Sequence, residues 1–259
     1  MADRLDLAWR TAATGFCFAT FGLGGLLLRA VVFPLLNLVV AQRERRTRWA
    51  RAWIHQSFRL FVGLMRGLGV MTCEVRGAER LQREGLLILA NHPTLVDVVF
   101  LMSFVRRADC IVKAALAANP FTRGPVLAAG FVCNDSGAGM VEDCVRSLRD
   151  GNNLIIFPEG TRTPRLGHQP LQRGAANIAV RGRRDVTPVR IRVQPLTLGK
   201  GEKWYRVPPR RWHIEFDVGE DIPVAPFLAD GAGEAIAARR LTEHLTDYFS
   251  RETPRAGIH

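Results

Sequence analysis

From about residue 71 onward, short apolar runs alternate with stretches of helical spacing, and this alternation constrains the fold more than any other feature. The runs GLLILAN at 85–91 and NLIIFPEG at 153–160 each hold four or five consecutive apolar residues before the chain turns polar. Runs of this length are typical of strands that are buried on both faces of a sheet. Their alternation with helices predicts an α/β fold, with a mostly parallel or mixed sheet flanked by helices.

The individual elements follow from the same pattern. Thr94 or Asp97 is placed to cap a helix at 97–105, and Gly151 is placed to end a helix at 139–149. The full prediction has strands within 71–77, 85–91, 110–116, 130–135, 153–160, 186–193 and 212–218, helices at 97–105, 139–149, 173–182 and 232–251, and loop with a short helix at 119–129. Residues 71–259 are therefore predicted to form one α/β domain.

The segment before this domain is much more apolar. Arg29 is the only charged residue within 11–41, and a membrane span needs roughly 20 apolar residues, so the length permits one. A charge near the middle of a span is costly, however, and Pro34 and the glycines at 22, 24 and 25 can bend or break a helix. We expect either one span or a re-entrant helix here.

A basic run and a second helical stretch follow. Basic residues beside an apolar segment are typical of the cytoplasmic side of a membrane, and each contributes roughly 1 kcal/mol near anionic headgroups. Residues 48–69 predict a helix with two tryptophans, which favour membrane interfaces. Residues 1–70 are thus predicted to be membrane-anchoring helices, although a hydrophobic helical hairpin packed on the domain core is an open alternative. The basic residues are Arg43, Arg45, Arg46, Arg48 and Arg51.

The overall charge narrows the class of partner. Lys and Arg number 36 against 24 Asp and Glu, which gives a formal net charge of +12. Such a charge indicates nucleic acid, a phospholipid surface or a phosphate-bearing substrate, or else simply a solvated basic surface. No zinc-finger spacing or RNA-binding aromatic signature accompanies it, which disfavours nucleic acid. The five cysteines form no CxxC pair, so a reducing compartment is favoured and no metal site is predicted.

The stretch NHPTLVD at 91–97 directly follows a predicted buried strand. Sites in open α/β sheets form at the carboxyl ends of strands, where His92 lies. Pro93 disfavours helical geometry at His92 and can start a turn, which would let Asp97 approach the imidazole. Asp97 could then accept the Nδ1 proton and leave Nε2 free as a general base. Taken alone, a His near an Asp is more often structural.

A second stretch, FPEGTRT at 157–163, also follows a buried strand. Glu159 and Arg162 stand three residues apart around Gly160. Glycine lets a backbone approach a ligand closely, and arginine is well suited to bind a phosphate. Taken alone, this stretch predicts a Glu–Arg pair on a turn.

Together the two stretches resemble the NHxxxxD and FPEGTRS signatures of the glycerolipid acyltransferases typified by 1-acylglycerol-3-phosphate acyltransferase. Their order and separation fit, as do LQRGAANIAV at 171–180 and VTPVRI at 186–191. The resemblance covers roughly residues 70–200. Either signature by itself is weak, but the two together are specific.

The resemblance implies a mechanism. His92, oriented by Asp97, removes the proton of an acceptor hydroxyl, and that oxygen attacks the thioester of acyl-CoA or of an acyl-carrier protein. It implies no acyl-enzyme, no metal and no further cofactor. It also implies membrane phospholipids and a lyso-lipid acceptor as partners, no nucleic acid, and a location on the cytoplasmic face of a membrane, such as the bacterial inner membrane. The expected acceptor-binding residues are Lys113, Glu159, Gly160, Thr161 and Arg162.

Two departures from the family pattern concern the acceptor. Ala115 stands where the family often has Glu, and Asn134 and Asp135 stand where it has a phosphate-binding Arg. An aspartate repels a phosphate. The acceptor is therefore open between lysophosphatidate and a lyso-lipid with another head, such as an amino-acid-containing lipid, or a hydroxylated acyl chain. Alternatively, Arg106, Arg107 or Arg123 supplies the missing phosphate contact.

Overall fold

Seven strands form a single mixed sheet in the computed structural model, which describes residues 2–112, 122–134, 139–164, 169–229, 231 and 233–251. The strand order is β1-β7-β6-β2-β5-β3-β4. The bounds are β1 Met71–Arg76, β2 Leu87–Ala90, β3 Ala108–Val112, β4 Val132–Cys133, β5 Asn153–Ile156, β6 Val186–Gln194 and β7 Trp212–Val218.

Five of these strands, from β6 to β4 in the sheet order, run parallel to one another. Strand β7 pairs with β6 in the antiparallel sense, and β1 pairs with β7 in parallel. The starts of β1 and β7 therefore lie at the same edge of the sheet as the end of β2. The predicted mixed α/β fold is confirmed.

Helices flank the sheet, and a π-helical turn over Leu28–Val32 joins the first two. The helices are α1 Ala2–Leu27, α2 Phe33–Val39, α3 Arg43–Gly67, α4 Asp97–Phe104, α5 Arg123–Ala129, α6 Met140–Arg149, α7 Gly174–Gly182, α8 Ala225–Leu228 and α9 Glu234–Arg251. A 3-10 helix spans Ala78–Gln82.

The two faces of the sheet carry separate hydrophobic cores. In β2, Ile88 and Ala90 join the core that also holds residues of α1, α3 and α4, whereas Leu87 and Leu89 join the core shared with α6, α7 and α9. This division follows from the two-residue period of a strand. All four β2 side chains are buried, which explains why the strand reads as a continuous apolar run.

The N-terminal helices pack on the domain as well as on each other. Phe21 of α1 lies against the rings of Phe58 and Phe61 of α3. Arg10 is 1% exposed and donates hydrogen bonds to the carbonyls of Pro208 (2.8 Å) and Pro209 (2.7 Å). The first half of α1 is thus fixed to the segment that precedes β7.

One helical stretch in the described residues, Asp3–Val39, is long and apolar enough to span a membrane by length and composition. The glycines at 22, 24 and 25 do not break it. Pro34 comes just after the π-helical turn. A proline lacks a backbone N–H and its ring clashes with the preceding turn of an α-helix, and the wider π-helical turn fits both effects. Much of this stretch leaves large apolar side chains exposed, among them Phe16, Leu23, Leu27, Leu35, Leu38 and Val39.

The basic run belongs to a helix rather than to a connection, because α3 begins at Arg43, five residues before the predicted start. The prediction that Arg51 meets lipid headgroups is wrong. Arg51 is buried, and its Nη2 donates to Asp109 Oδ2 at 2.8 Å while its Nε donates to the carbonyl of Ala129 at 2.9 Å. A buried carboxylate needs a charged partner, and Arg51 supplies it.

Candidate active site

Strand β2 ends where its neighbour β6 is still regular, and Asn91 makes the transition. The Asn91 side chain donates to the carbonyl of Ile191 at 2.9 Å and accepts from the Ile191 N–H at 2.7 Å. The amide group thus continues the pairing with β6 while the main chain turns away. The next residue, His92, is thereby placed at the carboxyl edge of the sheet.

The chain turns between His92 and Asp97 and brings the two side chains together. The distance from His92 Nδ1 to Asp97 Oδ2 is 2.8 Å. Thr94 fixes the carboxylate from the other side, because its N–H donates to Asp97 Oδ2 at 2.7 Å and its hydroxyl donates to Oδ1. Asp97 is also the first residue of α4, and the N-terminus of a helix favours a negative charge.

The two partners differ sharply in exposure. The Asp97 side chain is 0% exposed and the His92 side chain 20%. Burial raises the pKa of the Asp97 carboxyl, and the hydrogen bonds from His92 and Thr94 oppose that rise. The His92 ring stacks on Phe157 with centroids 4.2 Å apart. Its Nε2 has no hydrogen-bond partner in the described part of the chain, so it is the atom left for chemistry.

The segment after β5 holds the His92 main chain in place. The His92 N–H lies 3.2 Å from Glu159 Oε1 and 3.1 Å from Thr163 Oγ1, and the Thr163 N–H donates to the His92 carbonyl at 2.7 Å. The Thr163 hydroxyl in turn donates to Glu159 Oε1 at 2.6 Å. Gly160 takes a φ of +66°, which lets the chain fold back between these two residues.

Glu159 is 6% exposed, and only one of its two carboxylate oxygens is used by the protein. Oε1 accepts the bonds from His92 and Thr163, whereas Oε2 is buried without a partner among the described residues. Burial raises the pKa of Glu159, and the bonds from Thr163 and His92 oppose the rise. Through these hydrogen bonds Glu159 stabilises the loop that carries His92.

Arg162 reaches a different loop. Its Nη1 donates to the carbonyls of Leu198 (3.1 Å) and Gly199 (2.7 Å), and the Leu198 carbonyl also accepts from the N–H of Leu95 at 2.9 Å. Arg162 therefore links the segment after β5, the loop after β6 and the His92–Asp97 turn. Its Nε and Nη2 have no acceptor within the described ranges.

The structure brings together most of the residues that the sequence predicted. His92, Asp97, Glu159 and Arg162 meet at one edge of the sheet through the contacts above, with Gly160 and the half-buried Thr161 between the latter two. Lys113 lies outside the described residues, and so does Asp135. Sequence reasoning missed three members of the site: Thr94, Phe157 and Thr163. All three lie inside the two quoted stretches. Thr94 was expected only as a possible helix cap, and nothing in the spacing of Phe157 and Thr163 indicates that they contact His92.

Two of the arginines proposed as substitutes for a phosphate contact lie at the wrong edge. Arg106 and Arg107 precede β3, and Arg107 contacts Glu84 and the carbonyl of Asp150. That end of β3 is opposite to the end of β2 that carries His92, so this prediction is wrong for both residues. Arg123 is exposed at the start of α5, beyond the other end of β3. In the described part of the chain, no group of three or more His, Cys, Asp or Glu could hold a metal ion.

Comparison with known proteins gives the site a context. The family model described as Acyltransferase matches residues 72–192. A putative 1-acyl-sn-glycerol-3-phosphate acyltransferase of Caenorhabditis elegans is 32% identical over 124 residues, 44% of each chain. The lyso-ornithine lipid O-acyltransferase of Pseudomonas aeruginosa is 30% identical over 165 residues, 58% of each chain. The chain thus spans about half the length of the curated relatives it matches.

A solved structure extends the likeness of the fold to nearly the whole chain. The crystal structure of the 1-acyl-sn-glycerophosphate acyltransferase from Thermotoga maritima superposes with a TM-score of 0.65 at 18% identity. The match covers 97% of this chain and 100% of that one. At this identity the likeness shows a shared fold, N-terminal helices included.

Proposed function

Because residues 72–192 of this chain match the acyltransferase family model, we propose that the protein transfers a fatty acyl group from a thioester to the hydroxyl of a lyso-lipid. The observation that carries the proposal is the 2.8 Å contact between His92 Nδ1 and the fully buried Asp97. It fixes the imidazole and leaves Nε2 as the proton acceptor at a partly exposed position.

The chemistry follows from this geometry. Nε2 of His92 removes the proton from the acceptor hydroxyl as its oxygen attacks the thioester carbonyl. Asp97 stabilises the imidazolium that forms, as a buried carboxylate does in other His-based sites. The tetrahedral intermediate then collapses, the carbon–sulfur bond breaks, and His92 returns the proton to the departing thiol. In this mechanism His92 accepts and returns the proton, and the acceptor oxygen attacks the thioester directly. The proposal therefore includes no acyl-enzyme and no cofactor besides the thioester substrate.

Glu159, Gly160, Thr161 and Arg162 are proposed to bind the head of the acceptor, together with Lys113. Arg162 uses Nη1 on the loop after β6 but keeps Nε and Nη2, which could form two parallel hydrogen bonds to an anionic head. The acyl donor is proposed to be a thioester of coenzyme A or of an acyl-carrier protein.

A second acceptor class has a specific observation in its favour. Asn134, which follows β4, occupies the position where the family resemblance leads one to expect a phosphate-binding Arg. One relative over 165 residues is named a lyso-ornithine lipid O-acyltransferase. A lyso-lipid with an amino-acid head, rather than lysophosphatidate, is therefore the alternative acceptor.

We further propose that residues 1–70 hold the protein on the cytoplasmic face of a membrane, with residues 71–259 as the catalytic domain. The support is the row of exposed apolar side chains along α1 and α2 and the basic start of α3. An enzyme whose acceptor is a membrane lipid gains access to it by lying on the bilayer.

One experiment tests the reaction and the choice of acceptor together. Purified protein in detergent is offered lysophosphatidate and lyso-ornithine lipid, each with acyl-CoA and with acyl-carrier protein, and the products are identified by mass spectrometry. The proposal predicts one new ester that the His92→Ala variant does not form. If neither acceptor is acylated with either donor, the proposed function is wrong.

A further inference from the structure

A groove of about 610 Å³ opens where α3 ends and β1 begins. Its walls include Arg66 from α3, Thr72 from β1 and Arg211 from the residue before β7. Because β1 and β7 run opposite to β2, the starts of these strands lie at the sheet edge that carries His92. Strands are about 4.8 Å apart, so the three strand separations place β1 roughly 14 Å to the side of β2. The register sets Thr72 level with Gln194 of β6, five residues beyond Val189, which pairs with Ala90 at the end of β2. At about 3.3 Å per residue, the groove lies roughly 22 Å from Ala90.

The groove carries positive charge that the protein does not neutralise. Arg66 makes no hydrogen bond or ion pair with any residue the structure describes, and Arg211 makes a single bond of 3.3 Å to the carbonyl of Met71. None of the lining residues is acidic. Burial raises the pKa of the Cys73 thiol to about 11, and the nearby charge of Arg66 opposes the rise. Arg83, by contrast, is paired with Asp221.

The shape of the groove indicates a ligand larger than a simple ion. Gly63 and Gly67 line the α3 side, and a β-carbon built at either position would meet nothing within 4 Å. The volume falls within the range of roughly 300–1,000 Å³ that is typical of small-molecule sites. Unpaired guanidinium groups beside such a space are suited to bind phosphate esters.

We propose that this groove binds the phosphate-bearing nucleotide end of a coenzyme A thioester while the acyl end reaches His92. The inference rests on the proposed acyl transfer and names its donor. Coenzyme A carries its thiol on a long flexible arm, so its nucleotide has to be held at a distance from the reacting carbonyl. A lipid headgroup also offers a phosphate ester, but it does not offer a base and a ribose to fill the remaining volume.

Binding of free coenzyme A to the full chain in detergent, measured by calorimetry, tests the groove without any turnover. The variants are Arg66→Ala, Arg211→Ala and the two combined, and the matched control is Arg59→Ala, an exposed arginine of α3 that does not line the groove. We expect the dissociation constant to rise about tenfold or more in each groove variant, as for the loss of a charged hydrogen bond. The control should bind like wild type.

Two further ligands separate the sources of phosphate. Dephospho-coenzyme A, which lacks the 3′-phosphate, should bind wild type more weakly than coenzyme A does. A short-chain phosphatidylglycerol below its micellar concentration should bind equally to wild type and to the double variant. The proposal is overturned if coenzyme A binds the double variant as tightly as wild type, if wild type does not bind it, or if only the lipid loses affinity.

The same variants distinguish this inference from the proposed function. If the groove is the donor site, the KM for acyl-CoA rises in the double variant while kcat is retained. Unchanged kinetics in an active double variant contradict the groove alone. Coenzyme A binding that depends on Arg66 and Arg211, in a protein that transfers no acyl group, contradicts the proposed function alone.

Discussion

Thr163 holds both main-chain polar groups of His92: its N–H donates to the His92 carbonyl at 2.7 Å, and its hydroxyl oxygen lies 3.1 Å from the His92 N–H. The same hydroxyl donates to Glu159 of its own stretch, so one side chain connects His92 of the first signature stretch to Glu159 of the second. The position of the imidazole therefore depends on a residue that does not touch its ring.

Thr163→Val is predicted to lower kcat about tenfold, because the lost hydroxyl leaves the His92 N–H and Glu159 with fewer partners at a cost of about 1–3 kcal/mol. Thr163→Ser keeps the hydroxyl and should retain near wild-type kcat. Steady-state kinetics with saturating acceptor and donor provide the measurement. A Ser variant as slow as the Val variant would mean that the hydroxyl is not what matters.

Glu159→Gln is predicted to change how stability depends on pH. Burial raises the pKa of Glu159 in the folded protein, so the folded state holds this proton more tightly than the unfolded chain. Stability due to this group is therefore present at low pH and lost as the pH rises through the raised pKa. The Gln variant cannot titrate. Its melting temperature relative to wild type should increase as the pH rises through that window.

The control for this measurement is Glu220→Gln, since Glu220 is almost fully exposed. Its melting temperature relative to wild type should stay flat over the same pH range. A flat difference for Glu159→Gln as well would show that Glu159 titrates as an ordinary exposed carboxyl.

Arg162→Ala is predicted to raise the KM for the acceptor and to leave the KM for the thioester donor nearly unchanged. The guanidinium retains two donors on the side that its bonds to Leu198 and Gly199 do not use, and the proposed acceptor head binds there. Initial rates measured with each substrate varied in turn separate the two constants. An increase confined to the donor constant would reassign Arg162 to the donor side.

Aspartate at Leu38 and Val39 is predicted to release the protein from vesicles. These side chains are 82% and 81% exposed, so the double substitution disturbs little packing. An aspartate costs about 2.5–3.5 kcal/mol at the centre of a spanning helix and less towards its end, where Leu38 and Val39 lie, so the two substitutions are combined. Sedimentation with phospholipid vesicles measures the effect, and Ile236→Asp on α9 is the matched control for an exposed apolar residue. Equal sedimentation of all three proteins would argue against the anchor.

The strands and the central pair were predictable from local sequence. A fully buried strand such as Leu87–Ala90 must be a continuous apolar run, and Pro93 must divert the chain after His92, so both features are encoded within a few residues. The resemblance to a family then joined the two stretches. The basic residues at the start of α3 were also evident from the sequence, but their expected exposure does not hold for Arg51, whose side chain is buried.

The remaining features depend on residues that are distant in sequence. Arg51 is buried because Asp109, 58 residues away, needs a charged partner. Thr163 contacts His92, 71 residues away in the sequence, and β1 pairs with β7, which lies about 140 residues further along the chain. No period or local propensity encodes such pairings, since they are decided by which strands and loops pack together. The sheet order and the supports of the site could therefore be obtained only from the structure.

The rate of acyl transfer by His92→Ala, compared with wild type in the same micelles, tests the central claim most directly. Removal of a general base typically costs 10²- to 10⁴-fold in rate, and we expect a loss of about that size with an unchanged far-ultraviolet circular dichroism spectrum. Turnover within a few-fold of wild type by a folded His92→Ala protein would contradict the account, because another group would then be removing the proton.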